Sequence, residues 1–265
     1  MSATFGYFVA CTNPAGMGFV TMPAVACDSA TPQEKNLHED AMQLLTALTE
    51  PSKLYTELKQ RPSFILPMLL MLVGTVAVWL LYFQRVDSGW LVETMVTAGG
   101  GTPAEQEMMR KSMNPDMLMW WSVIAAPVFI VIFQLMLALY YKLAGKVAGA
   151  EYGFRAWFGF VNWSGVPLLL STVASLISVL TMSPQTSPQG VAPTHLDPLL
   201  VELAMDHPWQ SWATSLDLLN LWCIALAAIG WRVWTGTGWG KAVGVALLPH
   251  LVIYGIWAAV ILARS

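Results

Sequence analysis

EYGFRAWFGFVNWSGVPLLLS, residues 151–171, begins as an amphipathic helix and continues as a run apolar enough to cross a membrane. Its large side chains recur at positions i, i+3, i+4 and i+7, namely Phe154, Trp157, Phe158 and Val161. This spacing predicts a helix that lies in the membrane interface, with its aromatic side chains in lipid and Arg155 directed toward phosphate groups or water.

Pro167 marks the change from the amphipathic part of this stretch to the apolar part. Proline has no amide hydrogen, so the carbonyl of Trp163 loses its usual helical partner and the helix can kink there. The sequence therefore predicts a bend at Pro167, where the chain turns from lying on the membrane to crossing it.

The composition places the whole chain in the membrane. Of its 265 residues, 56% are hydrophobic and only 11% are charged, whereas a soluble domain carries about 25% charged residues. The net charge of −3 is too small to indicate a nucleic-acid partner. Three cysteines without a CxxC pair indicate neither a disulfide framework nor a metal site.

Five apolar runs are long enough to span a hydrocarbon core, which needs about 20 helical residues. They are residues 64–83, 119–141, 164–182, 215–233 and 242–262. The predicted fold is all-α: a polytopic membrane helical bundle with five transmembrane helices and short interfacial helices. Such a protein has the lipid bilayer as its first partner, and a membrane-protein partner or a homo-oligomer stays open.

The basic residues predict the orientation, because loops with more Lys and Arg stay in the cytoplasm. Nine lie on the side of the amino terminus, namely Lys35, Lys53, Lys59, Arg61, Lys142, Lys146, Arg155, Arg232 and Lys241. Four lie on the other side, namely Arg85, Arg110, Lys111 and Arg264. The amino terminus is therefore predicted to be cytoplasmic and the carboxyl terminus external.

Shorter helices are predicted outside the spans. Residues 44–61 carry an apolar stripe with Leu54 and Leu58, typical of a helix on the cytoplasmic membrane surface. Thr102 and Glu105 form a capping box for an external helix. Asp197 before Pro198 predicts the start of a helix on the outer leaflet.

Residues 1–41 show no helical period and no signal-peptide pattern. They predict either a disordered tail or a start codon placed upstream of Met42. The membrane domain is then residues 42–265.

Polar residues inside or beside the spans are the candidate functional positions. They are Gln134, Arg155, Asn162, Asp217, Asn220 and His250. An intramembrane histidine can relay protons, but a hydrogen bond to a neighbouring helix is the commoner role. Asp217 and Asn220, near the external end of their span, are predicted to be a cap and an interhelix contact.

No catalytic motif, cofactor motif or recognised metal-ligand spacing occurs in the sequence. The external His195, Asp197, Asp206 and His207 are ligand types, but their spacing matches no known zinc pattern. Two functions stay open, and neither is enzymatic. A membrane scaffold needs surface helices on a dry bundle, whereas a small transporter or channel subunit needs Gln134, Asn162, Asn220 and His250 near a shared cavity.

Three segments taken in order resemble the Yip family, membrane proteins named for interaction with Ypt/Rab GTPases. They are LLTALTEPSKLYTELKQRPSFILPMLL (44–70), FRAWFGFVNWSGVPLLL (154–170) and DLLNLWCIALAAIGWRVWTGTGWGKAVGVAL (217–247). The resemblance covers residues 42–262 and implies a five-helix fold with a cytoplasmic amino terminus. The D-[LI]-Y-G-P motif of eukaryotic members is absent from the sequence, which indicates a bacterial-type protein of the inner membrane. For such members the resemblance implies a fold and no particular activity.

Overall fold

The computed structural model describes residues 42–264, and over that range the chain forms helices and no strands. The first helix, α1, covers residues 42–49. The others are α2 (Pro51–Gln60), α3 (Ile65–Arg85), α4 (Ser88–Ala98), α5 (Pro103–Ser112), α6 (Pro115–Val147), α7 (Phe154–Ser164), α8 (Leu168–Thr181), α9 (Gln210–Ser215), α10 (Asn220–Thr235) and α11 (Trp239–Arg264). We call the end of the bundle that carries α2 the α2 end, and the opposite end the α5 end. The predicted tail, residues 1–41, lies outside this range.

Three helices in the described part of the chain, α3, α6 and α11, are long and apolar enough to cross a membrane. The pair α7 and α8 meets the same test as one broken span with a bend of 47°. The prediction of an all-α membrane bundle is thus confirmed with three or four candidate spans. The remaining predicted span corresponds to α10, whose 16 residues fall short of the roughly 20 that a perpendicular helix needs.

The amphipathic helix α7 lies largely inside the protein, and the prediction that its aromatic face lies in lipid is wrong except at Phe154, which is 37% exposed. Trp157, Phe160 and Trp163 are fully buried, and Val161 is 6% exposed. Helices α2, α3, α6 and α10 all pack against α7. Helical periodicity shows which face is apolar, but here protein rather than lipid covers that face.

Helix α2 is part of this cover, so the prediction of a helix 44–61 resting on the membrane is also wrong. The predicted helix is broken at Glu50 and Pro51. The apolar stripe of α2, with Leu54 and Leu58, is buried at the bundle, where α2 packs on α7 and α10. Its apolar area is therefore removed from water by protein contacts.

The bend between α7 and α8 falls at residues 165–167, as the sequence predicts. The amide of Gly165 donates to the carbonyl of Val161 and also to that of Asn162. The amide of Val166 donates to the carbonyl of Trp163 at 3.3 Å. That carbonyl therefore has a hydrogen-bond donor, although Pro167 has no amide hydrogen to offer it. The helix tightens before it turns, so its backbone polar groups stay satisfied.

The α5 end contains one predicted helix and one that the sequence did not reveal. The capping box of α5 is present, since Thr102 accepts from the amide of Glu105 and Glu105 accepts from that of Thr102. Helix α4 precedes it and is capped by Asp87, which accepts from the amide of Trp90 at 3.0 Å. Arg110 of α5 holds Glu93 of α4 through two hydrogen bonds of 2.8 and 2.9 Å.

The predicted outer-leaflet helix at Asp197 is replaced by a single π-helical turn, Asp197–Val201. Asp197 does not cap the start of this turn. Its carboxylate accepts from the amide of Leu203, beyond the end of the turn, and from the hydroxyl of Thr214. These contacts tie the two halves of the segment 183–219 to each other.

Candidate functional site

Three of the six candidate polar residues line one cavity inside the bundle. They are Gln134 of α6, Asn220 at the start of α10 and His250 of α11, and the cavity has a volume of about 140 Å³. Most of the remaining lining is apolar. Mostly apolar walls with a few convergent polar groups are typical of a small-molecule site.

Gln134 is the most buried of these three residues, with 6% of its surface exposed. Its Nε2 donates to the Sδ atom of Met71 at 3.6 Å. Its Oε1 is buried, and no described residue donates a hydrogen bond to it. A buried acceptor without a donor costs about 1–3 kcal/mol, so water or a solute with an N–H or O–H group is favoured there.

His250 lies near the middle of α11, directly after Pro249. Its Nδ1 is buried and has no hydrogen-bond partner of good geometry within residues 42–264, although the imidazole does interact with the backbone of Ala246, one turn earlier. Gln134 and His250 therefore line the same cavity, and the buried Oε1 of Gln134 has no hydrogen-bond donor among the described residues.

Asn220 lines this cavity and two others. It lines a cavity of about 350 Å³ toward the α5 end, and also one of about 470 Å³ between α10 and α11. The former shares Met71, Ile130 and Leu168 as well with the small cavity, and the latter shares Ile224 and His250. The small cavity thus has two neighbouring spaces.

The other three candidate residues lie elsewhere. Asn162 is fully buried in α7 and donates from Nδ2 to the carbonyl of Phe158 at 2.8 Å, so it does not reach the cavity lining. Asp217 precedes α10 and accepts from the amide of Leu219 at 2.9 Å. Arg155 is exposed at the start of α7, with its guanidinium 5.8 Å from the ring centre of Phe64.

An aromatic cluster closes the bundle between the cavity and the α2 end. Trp157 packs against Trp234 and Trp231 with ring centres 4.7 and 5.8 Å apart. Gly145 of α6 allows the ring of Trp157 to lie directly against that helix, because a Cβ atom at position 145 would be 2.4 Å from the ring. Such packing leaves no room for a path between these rings.

The lining residues that sequence reasoning missed include Met71, Tyr141, Ser164 and Cys223. Residues of these types are common in protein cores, and only the packing of four helices shows that these four line a cavity. The potential metal ligands do not assemble: no group of three or more His, Cys, Asp or Glu side chains placed to hold a metal occurs in the described range. His195 instead pairs with Asp217, with Nε2 and Oδ2 3.5 Å apart.

Comparison with known proteins agrees with the helical architecture. A family model described as the Yip1 domain matches residues 45–261. No curated protein and no solved structure gives a significant match. The match covers most of the chain, including every helix that lines the cavity, and this integral membrane protein therefore belongs to the Yip1 domain family.

Proposed function

We propose that the chain spans the bacterial inner membrane five times, with the α2 end in the cytoplasm. The charge asymmetry supports this orientation. Helix α10 counts as a span because it packs along α11, which is long enough to cross a membrane. Its length of about 24 Å is short for a hydrocarbon core of about 30 Å.

Topology reporters fused after residues 60, 148, 185 and 265 test this arrangement. The first two should report the cytoplasm, and the last two the external side. Activity that places residues 148 and 185 on the same side contradicts the five-span topology.

We infer that this Yip-family protein is a non-enzymatic transporter or channel subunit for a small solute. The observation that carries this inference is the convergence of Gln134, Asn220 and His250 on one intramembrane cavity. The Oε1 of Gln134, which lacks a donor among the described residues, adds support, because buried polar groups are usually hydrogen-bonded.

The cavity restricts the class of solute. An engineered cavity of about 150 Å³ holds benzene, so a space of about 140 Å³ admits a molecule of about six non-hydrogen atoms. No Asp, Glu, Lys or Arg is among the described lining residues, which favours an uncharged solute. The buried Gln134 Oε1 favours a solute that donates a hydrogen bond.

Solute flux into proteoliposomes tests this function, with urea and glycerol as probes. Stopped-flow light scattering should show faster uptake than in empty liposomes. Gln134→Leu and His250→Leu should each reduce the protein-dependent rate at least about five-fold, since each replaces a polar cavity group with an apolar one. Gly244→Ala is the matched control, because a Cβ atom there meets open space.

Equal rates in proteoliposomes and empty liposomes contradict the transport proposal. Equal rates in the wild type and both leucine variants contradict the assignment of the cavity. Circular dichroism in detergent confirms that each variant remains folded.

A scaffold is the second candidate function, and the docking of α2 favours it. Trp234 Nε1 donates to the carbonyl of Tyr55 at 2.9 Å, and Lys59 Nζ bonds the carbonyl of Val233. The opposite face of α2, with Ser52, Lys53 and Glu57, is exposed while the helix itself is held against the bundle. A photo-crosslinker at Glu57 should then yield one discrete protein adduct in cells, whereas one at the outward-facing Val73 should not.

A further inference from the structure

The segment 183–219 reaches far into the bundle from the α5 end, as its contact with α8 shows. Thr194 Oγ1 and Ser171 Oγ are 2.6 Å apart. Ser171 lies ten residues before Thr181, the last residue of α8, which corresponds to about 15 Å along the helix. Thr194 is therefore well below the end of α8.

Helix α11 gives the same depth independently. The hydroxyl of Tyr254 donates to the carbonyl of Ser215 at 2.9 Å, and Trp212 Nε1 donates to the carbonyl of Tyr254 at 3.1 Å. Tyr254 lies ten residues before Arg264, again about 15 Å from the helix end. Two separate parts of the segment, near Thr194 and near Ser215, thus lie at similar depth in the bundle.

The backbone at this depth is irregular but hydrogen-bonded. The amide of Leu196 donates to the carbonyl of Leu216 at 2.8 Å, and the amide of Leu218 donates to the carbonyl of Thr194 at 3.0 Å. Non-helical backbone at membrane depth is tolerated where it is buried in protein or lines a water-filled space. The segment therefore needs protein or water around it.

The cavity of about 350 Å³ lies between this segment, α3 and α8. Hydroxyl groups are frequent in its lining, contributed by Thr75, Ser171, Thr172, Ser175 and Ser215. His195 and Asp217 line it too, and the carboxylate of Asp217 is largely buried. A carboxylate in hydrocarbon is costly, so the polar part of this lining fits water, while the rest of the lining is apolar.

We propose that residues 183–219 re-enter the membrane and form, with α3 and α8, a water-filled vestibule by which solute reaches the small cavity from the external side. The proposal rests on the function proposed above. Met71 and Asn220 lie between the two spaces, since both line both cavities. The aromatic cluster of Trp157, Trp231 and Trp234 blocks the cytoplasmic side, which leaves the vestibule as the polar approach.

The alternative approach is lateral, through the cavity between α10 and α11. Its lining includes Leu218, Leu221, Leu247 and Leu251, and Leu221 and Leu251 are strongly exposed on the helix surfaces. A hydrogen-bonding solute would lose its water partners on that route, so the vestibule is favoured.

Cysteine accessibility tests the vestibule without any need for transport. Ser175→Cys is made in the full chain with Cys11 and Cys27 changed to Ser, while Cys223, which is buried and lines the small cavity, is left in place. The same chain without Ser175→Cys measures the background reaction. A membrane-impermeant trimethylammonium methanethiosulfonate is then added to the external face of intact cells. Ile177→Cys is the matched control, because it is exposed on the outer surface of α8 and nearer the helix end than Ser175.

The expected result is modification of Ser175→Cys at least about ten times faster than of Ile177→Cys. Equal modification rates contradict the vestibule, because the Ser175 position would then be no more accessible to the aqueous reagent than the lipid-facing Ile177 position. Faster modification in inside-out vesicles than in intact cells also overturns it.

The route is tested by urea flux through the same Ser175→Cys protein before and after modification. Loss of at least four-fifths of the protein-dependent flux supports the route. Unchanged flux after complete modification overturns it in favour of the lateral approach. Fast modification of a protein that shows no flux at all supports the vestibule and contradicts the proposed transport function.

Discussion

The hydroxyl of Tyr55 lies 2.7 Å from Ser164 Oγ, which joins α2 to the last residue of α7. Ser164 donates its own hydrogen to the carbonyl of Phe160, so Tyr55 is the donor in this pair. Burial raises the pKa of the Tyr55 phenol above its ordinary range, which keeps it protonated. A helix that looks like a membrane-surface element is thereby fixed to the centre of the fold.

Tyr55→Phe should lower the free energy of unfolding by about 1–2 kcal/mol, because Ser164 loses a buried donor while the aromatic packing remains. Denaturant titration in detergent measures the change. Tyr152→Phe is the matched control, since its hydroxyl makes no hydrogen bond to any described residue. Equal effects of the two substitutions would show that the Tyr55 bond contributes nothing specific.

Gly230→Ala should be destabilising because α10 passes very close to two rings. A Cβ atom at position 230 would lie 2.6 Å from the ring of Tyr55 and 2.7 Å from that of Phe160. Overpacking of this kind costs about 1–3 kcal/mol. Gly244→Ala, in open space, should be neutral or slightly stabilising, and thermal unfolding compares the two. A neutral Gly230→Ala would mean that α2 is not docked at α10.

Pro167→Ala should leave the 47° bend between α7 and α8 in place. Packing holds α7 from outside the bend, since Trp163 Nε1 donates to the carbonyl of Ser63 at 3.1 Å. Spin labels at residues 155 and 180 measure the separation of the two helices by electron double resonance. A change larger than about 5 Å, relative to the labelled parent with Pro167, would identify the proline as the cause of the bend.

The contact between α4 and α5 should weaken in acid. The hydrogen bond from Arg110 holds the pKa of Glu93 below its ordinary value of 4.5. A depressed carboxyl pKa stabilises the folded state above the unfolded pKa, and this stabilisation is lost as pH falls through the folded pKa. Hydrogen exchange in residues 88–112, corrected for intrinsic rates, should be alike at about pH 7 and pH 5.5 and faster below about pH 4.

Glu93→Gln should show the faster exchange already at neutral pH. Some acid dependence should remain, because the hydrogen bond from the Thr102 amide also lowers the pKa of Glu105. A Glu93→Gln protein with wild-type exchange at every pH would show that the ion pair does not hold α4 against α5.

The sequence alone determined the class of the protein and several local features. Apolar runs and few charges indicate a membrane bundle, because apolar helices of about 20 residues match the thickness of the hydrocarbon core and satisfy their own backbone hydrogen bonds there. The capping box at Thr102 and Glu105 is likewise local, since it depends on residues a few positions apart. The position of the bend near Pro167 was also predicted, although tertiary packing of α7 is expected to hold the bend itself. The order of three segments was sufficient to identify the family.

Only the tertiary structure decided what covers each apolar face. The stripe of α7 has the same 3.6-residue period whether lipid or protein lies against it. In the structure protein covers it, and α2 is one of the helices that do so. The convergence of Gln134, Asn220 and His250 also depends on helices far apart in sequence. Their common cavity is a property of how α6, α10 and α11 pack, and no spacing along the chain encodes that packing directly.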